Sequence, residues 1–171
     1  ATTPAKTSVA ANINQTSLFG ETTADAENDA LSDESTSVQY HPGKNISNTE
    51  HQYFLIDTPE KNQELISTLS TQKQICFDTE TTSVDANNCE LVGISFSIEP
   101  TIGYYIPISE NQLEAQKIID LFKPILENEN IIKIGQNIKY DCLVLKWYNV
   151  EVKGIFFDTM LAHYLMEPDN K

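Results

Sequence analysis

The sequence predicts an α/β domain in which helices flank a mixed β-sheet, preceded by an acidic segment without fixed structure. Three observations predict it. Composition changes abruptly near residue 50, from Ser, Thr, Ala, Asn and acids to a chain rich in Ile, Leu, Val and aromatics. Beyond that point, short apolar runs are bounded by turn residues, and residues 91–98 alternate with period two, the mark of strands. Longer stretches carry apolar residues at i, i+3, i+4 and i+7, the spacing of one helix face. Strands that cluster first and then alternate with helices predict parallel and antiparallel pairs in one sheet.

Residues 1–50 hold seven acids, two lysines and only Phe19 and Tyr40 as aromatics. Such a stretch cannot bury enough apolar surface to offset its ordering entropy, which predicts a disordered acidic linker. Within it, Gln15, Leu18 and Phe19 place a polar anchor before an apolar pair. That pattern suits a peptide that docks in a partner's groove, and it equally suits an ordinary linker. The domain proper is expected over 51–171.

Tyr53 to Ile56 predicts a strand. Thr58 and Pro59 then give an N-cap and a first helical position, and Leu65, Ile66 and Leu69 form the buried stripe of that helix. Ile75 to Thr79 is a short apolar strand. In residues 91–98, Val92, Ile94, Phe96 and Ile98 share one face. The other face, with Leu91, Gly93, Ser95 and Ser97, is small enough for a neighbour to pack closely. Gly103 to Ile108 is a further strand, with Pro107 at an edge or strand end. A helix from Asn111 follows, and Pro124 predicts a kink or a new turn in it. Ile131 to Ile134 is a strand. Asn137 is expected to cap a helix whose buried stripe is Tyr140, Leu143, Val144 and Trp147. Ile155 to Phe157 and a helix capped by Asp158 complete the order.

Charge narrows the function classes. The chain has 25 acids against 11 basic residues, all lysine, for a net charge of −14. This argues against gripping nucleic acid, or a membrane surface, by bulk positive charge. No apolar run reaches the ~18–20 residues of a membrane span, and there is no signal-peptide pattern. Cys76, Cys89 and Cys142 are odd in number and form no CxxC pair, as expected of reduced thiols in a cytoplasmic protein. A first residue of Ala rather than Met suggests a piece of something longer.

Two local features could carry chemistry. Asp78 and Glu80 stand at i and i+2 at the end of an apolar strand, so they project on one face. Two like charges so close raise each other's pKa, and a divalent cation relieves this; hard oxygen ligands suit Mg²⁺ or Mn²⁺. The same residues also fit a strand running out into solvent. In Gly135-Gln136-Asn137-Ile138-Lys139-Tyr140-Asp141, a strand ends, a helix starts, and Asp141 lies in its first turn. There it either supports the helix terminus or, at the edge of the buried face, reaches a cleft.

Taken together, FDTET, LVGISFSIEP, YIP, LFKPILEN, KIGQNIKYD and GIFFDTML resemble, in order and spacing, the 3′→5′ proofreading exonuclease domain of bacterial family A DNA polymerases, the DNA polymerase I family. The resemblance covers about Tyr53 to Glu167. It implies a ribonuclease-H-like fold and two-metal hydrolysis of the terminal phosphodiester of a DNA 3′ end. It implies that Asp78 bridges two Mg²⁺ or Mn²⁺ ions, that Glu80 binds the one that activates water, and that Asp141 supports the second. It implies that Thr81 and Val84 pack against the terminal nucleotide and that Gln136, Asn137 and Tyr140 contact the single-stranded end. The implied partners are a single-stranded or frayed DNA 3′ end, the polymerase domain of a parent chain, and the sliding clamp through Gln15, Leu18 and Phe19. The family's third motif, a Tyr followed by an Asp on a helix, is not matched by Tyr164 to Glu167. The expectation is a segment truncated before that motif and itself inactive or weak. An RNA-processing exonuclease with the same carboxylates, or a non-catalytic scaffold or clamp-binding piece, are the alternatives.

Overall fold

The computed structural model describes residues 47–168. All but the last four positions of the expected linker, and with them Gln15, Leu18 and Phe19, lie outside the described residues. Ten elements follow in order: β1 (Gln52–Leu55), α1 (Pro59–Ser70), β2 (Gln74–Thr81), β3 (Leu91–Ser97), β4 (Ile102–Pro107), α2 (Gln112–Leu126), β5 (Ile132–Gly135), α3 (Ile138–Lys146), β6 (Phe156–Asp158) and α4 (Thr159–Met166). None of these helices is long and apolar enough to cross a membrane.

The strands form one six-stranded sheet in the order β1-β4-β3-β2-β5-β6. β2, β3 and β4 make an antiparallel meander, β1 joins β4 in parallel, and β5 and β6 continue in parallel beside β2. β2, β5 and β6 therefore end at the same edge of the sheet. The crevice outside the carboxyl ends of parallel strands is where open α/β sheets gather their functional side chains.

Alternation along β2 buries Ile75, Phe77 and Thr79 and exposes Cys76, Asp78 and Glu80. Register places Phe77 beside Phe96 and Thr79 beside Ile94, so these share the buried face. α2 covers that face with Ala115, Ile119, Phe122, Ile125 and Leu126, and the Phe122 ring stacks on Phe96 at 5.4 Å between centroids. α1 adds Leu65 and Leu69 to the same core. Each of these larger side chains contributes about 1.5–3 kcal/mol by burial. On the opposite face, the small residues of β3 do admit a close neighbour: a Cβ on Gly93 would lie 2.2 Å from the Tyr105 hydroxyl.

Thr58 caps α1 as expected, and Asn111, from which the sequence predicts the next helix to run, proves to be the N-cap of α2. Pro124 does not break α2, which runs on to Leu126; the proline removes one N–H donor, and it falls in the last turn, so little helix follows the bond it removes. Pro107 ends a strand that lies inside the sheet, not at its edge.

Two expectations for α3 are corrected. Its buried stripe is Ile138, Asp141, Val144 and Leu145, continued by Tyr148, whereas Leu143 and Trp147 are exposed. Both stripes have helical spacing; the one chosen is the one that faces the sheet. Asn137 adopts the left-handed conformation (φ 54°) and its side chain caps nothing. The cap comes instead from Asp158 on β6. Its Oδ1 accepts from Asn137 N at 3.0 Å and its Oδ2 from Ile138 N at 3.1 Å. The same Oδ1 also accepts from Met160 N at 2.9 Å and Leu161 N at 3.3 Å, which caps α4 as expected. One carboxylate thus holds the first turns of two helices.

Buried Lys133 on β5 is an addition that no pattern signalled. It donates to the carbonyls of Asn128 and Ile131, and burial lowers its pKa to about 8.

Candidate active site

Strand β2 carries the first acids. Asp78 and Glu80 share its open face, as period two requires, opposite Ser95 and Gly93 of β3. These two partners are small, so nothing on β3 crowds the carboxylates. The ladder slips between Glu80 and Thr81, and this irregularity starts a strap, residues 82–90, that leads into β3. Bulges at strand ends commonly re-aim side chains at functional sites.

Asp141 comes from the first turn of α3 and is fully buried, not at the edge of the buried face as its spacing suggested. Thr79, between the two strand acids but turned inward, holds it. Its backbone N–H and its hydroxyl both donate to Asp141 Oδ1, at 2.9 and 2.6 Å. Oδ1 thereby has two donors, so an incoming ligand would meet Oδ2.

The electrostatics are those of acids short of positive charge. Burial, then Asp141, then Glu80 push Asp78 up to about 6. Burial also raises Asp141, against the opposing pull of the two Thr79 hydrogen bonds. Nearby Cys76 and Cys142 are raised by burial first and by Asp78 and Asp141, respectively, second. No lysine among the described residues forms an ion pair with Asp78, Glu80 or Asp141; the ion pairs formed there join Lys61 to Asp57 and Lys123 to Glu127. Asp158, by contrast, is lowered: burial acts upward, but the four backbone N–H groups it accepts from outweigh it. It is a helix cap and not a ligand candidate.

Beside the acids lies a cleft of about 480 Å³ lined by Thr79, Glu80, Thr81, Val84, Asn137 and Tyr140, among others. That volume is in the range of small-molecule sites. Val84 is 96% exposed at its rim. The structure therefore brings Glu80, Thr81, Val84, Asn137 and Tyr140 to one cleft, with Asp78 beside Glu80 and Asp141 behind Thr79. Gln136 is exposed at the β5–α3 turn and does not line the cleft. The Tyr140 hydroxyl is engaged by the chain itself: it donates to Ser83 O at 2.5 Å and lies 2.6 Å from the Thr81 hydroxyl.

As a set for a metal, these residues fit in kind: they are three hard carboxylates, of which Asp78 is raised by burial and by its two acidic neighbours and Asp141 by burial. They do not close into a cage, since among the described residues no three of His, Cys, Asp and Glu converge tightly enough to hold an ion. An ion here would keep part of its water shell, as Mg²⁺ usually does. Sequence reasoning missed Thr79 and the second duty of Asp158. An inward-facing Thr between two outward acids is a signal for the first. Asp158 acts on a turn 21 residues earlier in the chain, and nothing in local spacing marks it.

Comparison with known proteins agrees with the geometry. The model of a 3′-5′ exonuclease family matches residues 53–171. The chain is 38% identical over 131 residues to DNA polymerase I of Borreliella burgdorferi, covering 74% of this chain and 14% of that one. It is 32% identical over 157 residues to DNA polymerase I of Synechocystis, covering 80% and 16%. It is 36% identical over 101 residues to that of Pseudomonas aeruginosa, covering 54% and 11%. The chain thus spans only 11–16% of these relatives' length. Among solved structures, RNase D of Trypanosoma brucei in complex with GMP superimposes with a TM-score of 0.57 at 17% identity, covering 67% of this chain and 35% of that one. Brucella melitensis NrnC gives 0.51 at 21% identity, covering 70% and 54%. These likenesses establish a shared exonuclease fold, the ribonuclease-H-like mixed sheet.

Proposed function

The chain belongs to the 3′-5′ exonuclease family of DNA polymerase I, and on that premise we propose that it forms the metal-dependent site at which a DNA 3′ end is hydrolysed during proofreading. The observation that carries this reading is the grouping of Asp78, Glu80 and Asp141 without a counter-cation at the shared carboxyl end of β2 and β5, beside a nucleotide-sized cleft.

Asp78 and Glu80 would hold Mg²⁺ or Mn²⁺ directly, and Asp141 through Oδ2. When bound, a pair of such ions supplies a hydroxide at neutral pH and charge relief for the departing oxygen. The protein's own residues do the rest. Thr79 fixes Asp141 in one rotamer, so its free oxygen is aimed before any ligand arrives. Thr81 and Val84 form the wall against which the terminal nucleotide packs. Asn137, held in a left-handed turn by Asp158, presents its unused amide to the strand. Gln136 extends that polar surface outward, toward nucleotides further from the end. A frayed single strand needs only stacking and polar contacts of this sort, with no element that reads a duplex. Tyr140 reaches the substrate indirectly, through Thr81 and Ser83.

Mn²⁺ titration of the chain against Asp78→Ala tests the reading. The parent chain should bind and the variant should bind far more weakly; equal binding overturns it. The second reading, an RNA exonuclease, rests on the RNase D likeness. Its sequence agreement is about half that of the DNA polymerase I relatives. Tighter binding of a single-stranded RNA than of the matching DNA, in Mn²⁺, would favour it. The acidic net charge assigns bulk attraction for DNA to other surfaces of a parent polymerase, and the segment Gln15 to Phe19 would add a dock on the sliding clamp. Loss of clamp binding in Leu18→Ala with Phe19→Ala supports that dock, and unchanged affinity removes it.

A further inference from the structure

The strap 82–90 forms one wall of the cleft, yet it contains no helix or strand. Its neck is closed by Thr82 and Glu90: Thr82 N donates to Glu90 O at 3.0 Å, and Glu90 N to the Thr82 hydroxyl at 2.9 Å. Apart from the Thr81 hydroxyl, which donates to Ser83 O at 2.8 Å, the other side-chain hydrogen bonds that fasten it to the domain come from α3 and the two residues just after it. Tyr140 donates to Ser83 O. Tyr148, two turns later, accepts from Leu91 N at 3.1 Å where the strap enters β3. Between them, the Trp147 indole N–H donates to Ala86 O at 3.0 Å.

Trp147 is the chain's one tryptophan and is 58% exposed. An aromatic that exposed adds little to the core. What it does reach is the middle of the strap, at Ala86, which is itself buried. Val84 lies between the Tyr140 contact at Ser83 and the Trp147 contact at Ala86. Being almost fully exposed, Val84 has no packing of its own to hold it, so its place at the rim is set by the backbone on either side.

We propose that Trp147 is a positioning residue: through Ala86 it fastens the strap so that Val84 stands against the terminal nucleotide in the cleft. This rests on the reading of the cleft given above. It adds the residue at the C-terminal cap of α3 to the machinery that orients the substrate. Trp147→Phe removes the N–H and keeps an aromatic ring at a position where no core opens.

The full 171-residue chain tests it with three measurements. Hydrogen exchange followed by mass spectrometry should show faster exchange in 83–88 of Trp147→Phe, with β2 and β5 unchanged. A 5′-labelled single-stranded DNA oligonucleotide, followed by anisotropy in Mn²⁺, should bind roughly three- to tenfold more weakly, the range expected for one hydrogen bond. Mn²⁺ affinity itself should stay within about twofold, because the carboxylates are untouched. Placed in a Val84→Ala background, Trp147→Phe should have almost no further effect on the oligonucleotide, since the two residues then act on one contact. A general loss of stability would instead be additive. Unchanged exchange in the strap, unchanged oligonucleotide affinity, or additivity with Val84→Ala each overturns the role given to Trp147. Failure of the parent chain to bind oligonucleotide in Mn²⁺ overturns the reading of the cleft, and this role with it.

Discussion

Thr79→Val is the sharpest test of how the site is held together. Valine matches threonine in shape, so the substitution removes one hydroxyl and leaves the backbone in place. The structure loses the 2.6 Å bond to Asp141 Oδ1 and keeps the 2.9 Å bond from the Thr79 N–H. A hydrogen bond to a charged group contributes about 1.5–3 kcal/mol, and the extra buried methyl returns part of about 0.8 kcal/mol. The expected net loss is about 1–2 kcal/mol at pH 7.5. With a urea m-value of about 2 kcal/mol per molar for a domain of this size, the midpoint should fall by about 0.5–1 M. The pH dependence carries a sign. The hydroxyl favours the ionised form of Asp141, so removing it raises a pKa that burial has already raised. Stability linked to Asp141 is fully present below the unfolded pKa and declines as pH rises through the folded one. The cost of Thr79→Val should therefore be larger at pH 7.5 than at pH 5. Urea titrations of both proteins in a chelator at the two pH values measure it. A loss under about 0.3 kcal/mol at pH 7.5, or a greater loss at pH 5, would refute the account.

Three further outcomes are expected. Asp78→Asn should raise the melting temperature of the metal-free chain at pH 7–8, because Asp78 carries an unfavourable charge above about pH 6, and should abolish the rise that Mn²⁺ gives the parent chain; an equal Mn²⁺-induced rise in both contradicts it. Asp158→Ala uncaps two helices and should cost about 2 kcal/mol, roughly 1 per cap, with the loss vanishing as pH falls below the Asp158 pKa, since a lowered carboxylate stabilises only above it; urea unfolding at pH 7, with a cost no greater than one cap, would count against the double role. Lys133, lowered to about 8, should make stability rise from about pH 8 to 9, where the unfolded chain binds more protons, and Lys133→Met should flatten that rise in thermal melts.

Much of this was legible in the sequence, and the rest has physical reasons for being hidden. Every element could be placed from periodicity, since local spacing is what local structure obeys. The i, i+2 acids needed only the strand's period to face the same way. Sheet order was not readable: β1 pairs with β4 and β2 with β5 across intervening elements, and pairing at that separation leaves no local trace. α3 shows a subtler failure. It offers two stripes of helical spacing, Tyr140 with Trp147 and Ile138 with Asp141, Val144 and Leu145. Apolar content favours the first, because a carboxylate breaks the second. The chain uses both, the second against the sheet and the first against the strap. The spacing sets Asp141 at the edge of a buried face built on Tyr140, whereas the structure sets it within the buried face itself, where it is the point of the arrangement.

That misreading explains why the site is built as it is. A carboxylate buried among apolar side chains costs several kcal/mol unless it is hydrogen-bonded or neutralised. Asp141 is given two bonds on one oxygen and no counter-charge, and Asp78 and Glu80 are set beside it on the open face. Each raised pKa is stability withheld from the apo protein, and a cation returns it on binding. The same logic separates Asp158 from the other three. It accepts four backbone N–H groups, its pKa is lowered, and it has nothing left to offer an ion. Among four acids at one edge of the sheet, the direction of the shift distinguishes the one that supports the fold from the two, Asp78 and Asp141, whose charge awaits a partner. Relieving the repulsion should trade one property for the other: Glu80→Gln, which removes a charge that raises Asp78, should stabilise the apo chain's ionised Asp78 and weaken Mn²⁺ binding together. Mn²⁺ affinity that rises with apo stability in that variant would break the link between strain and ligand on which the site is argued.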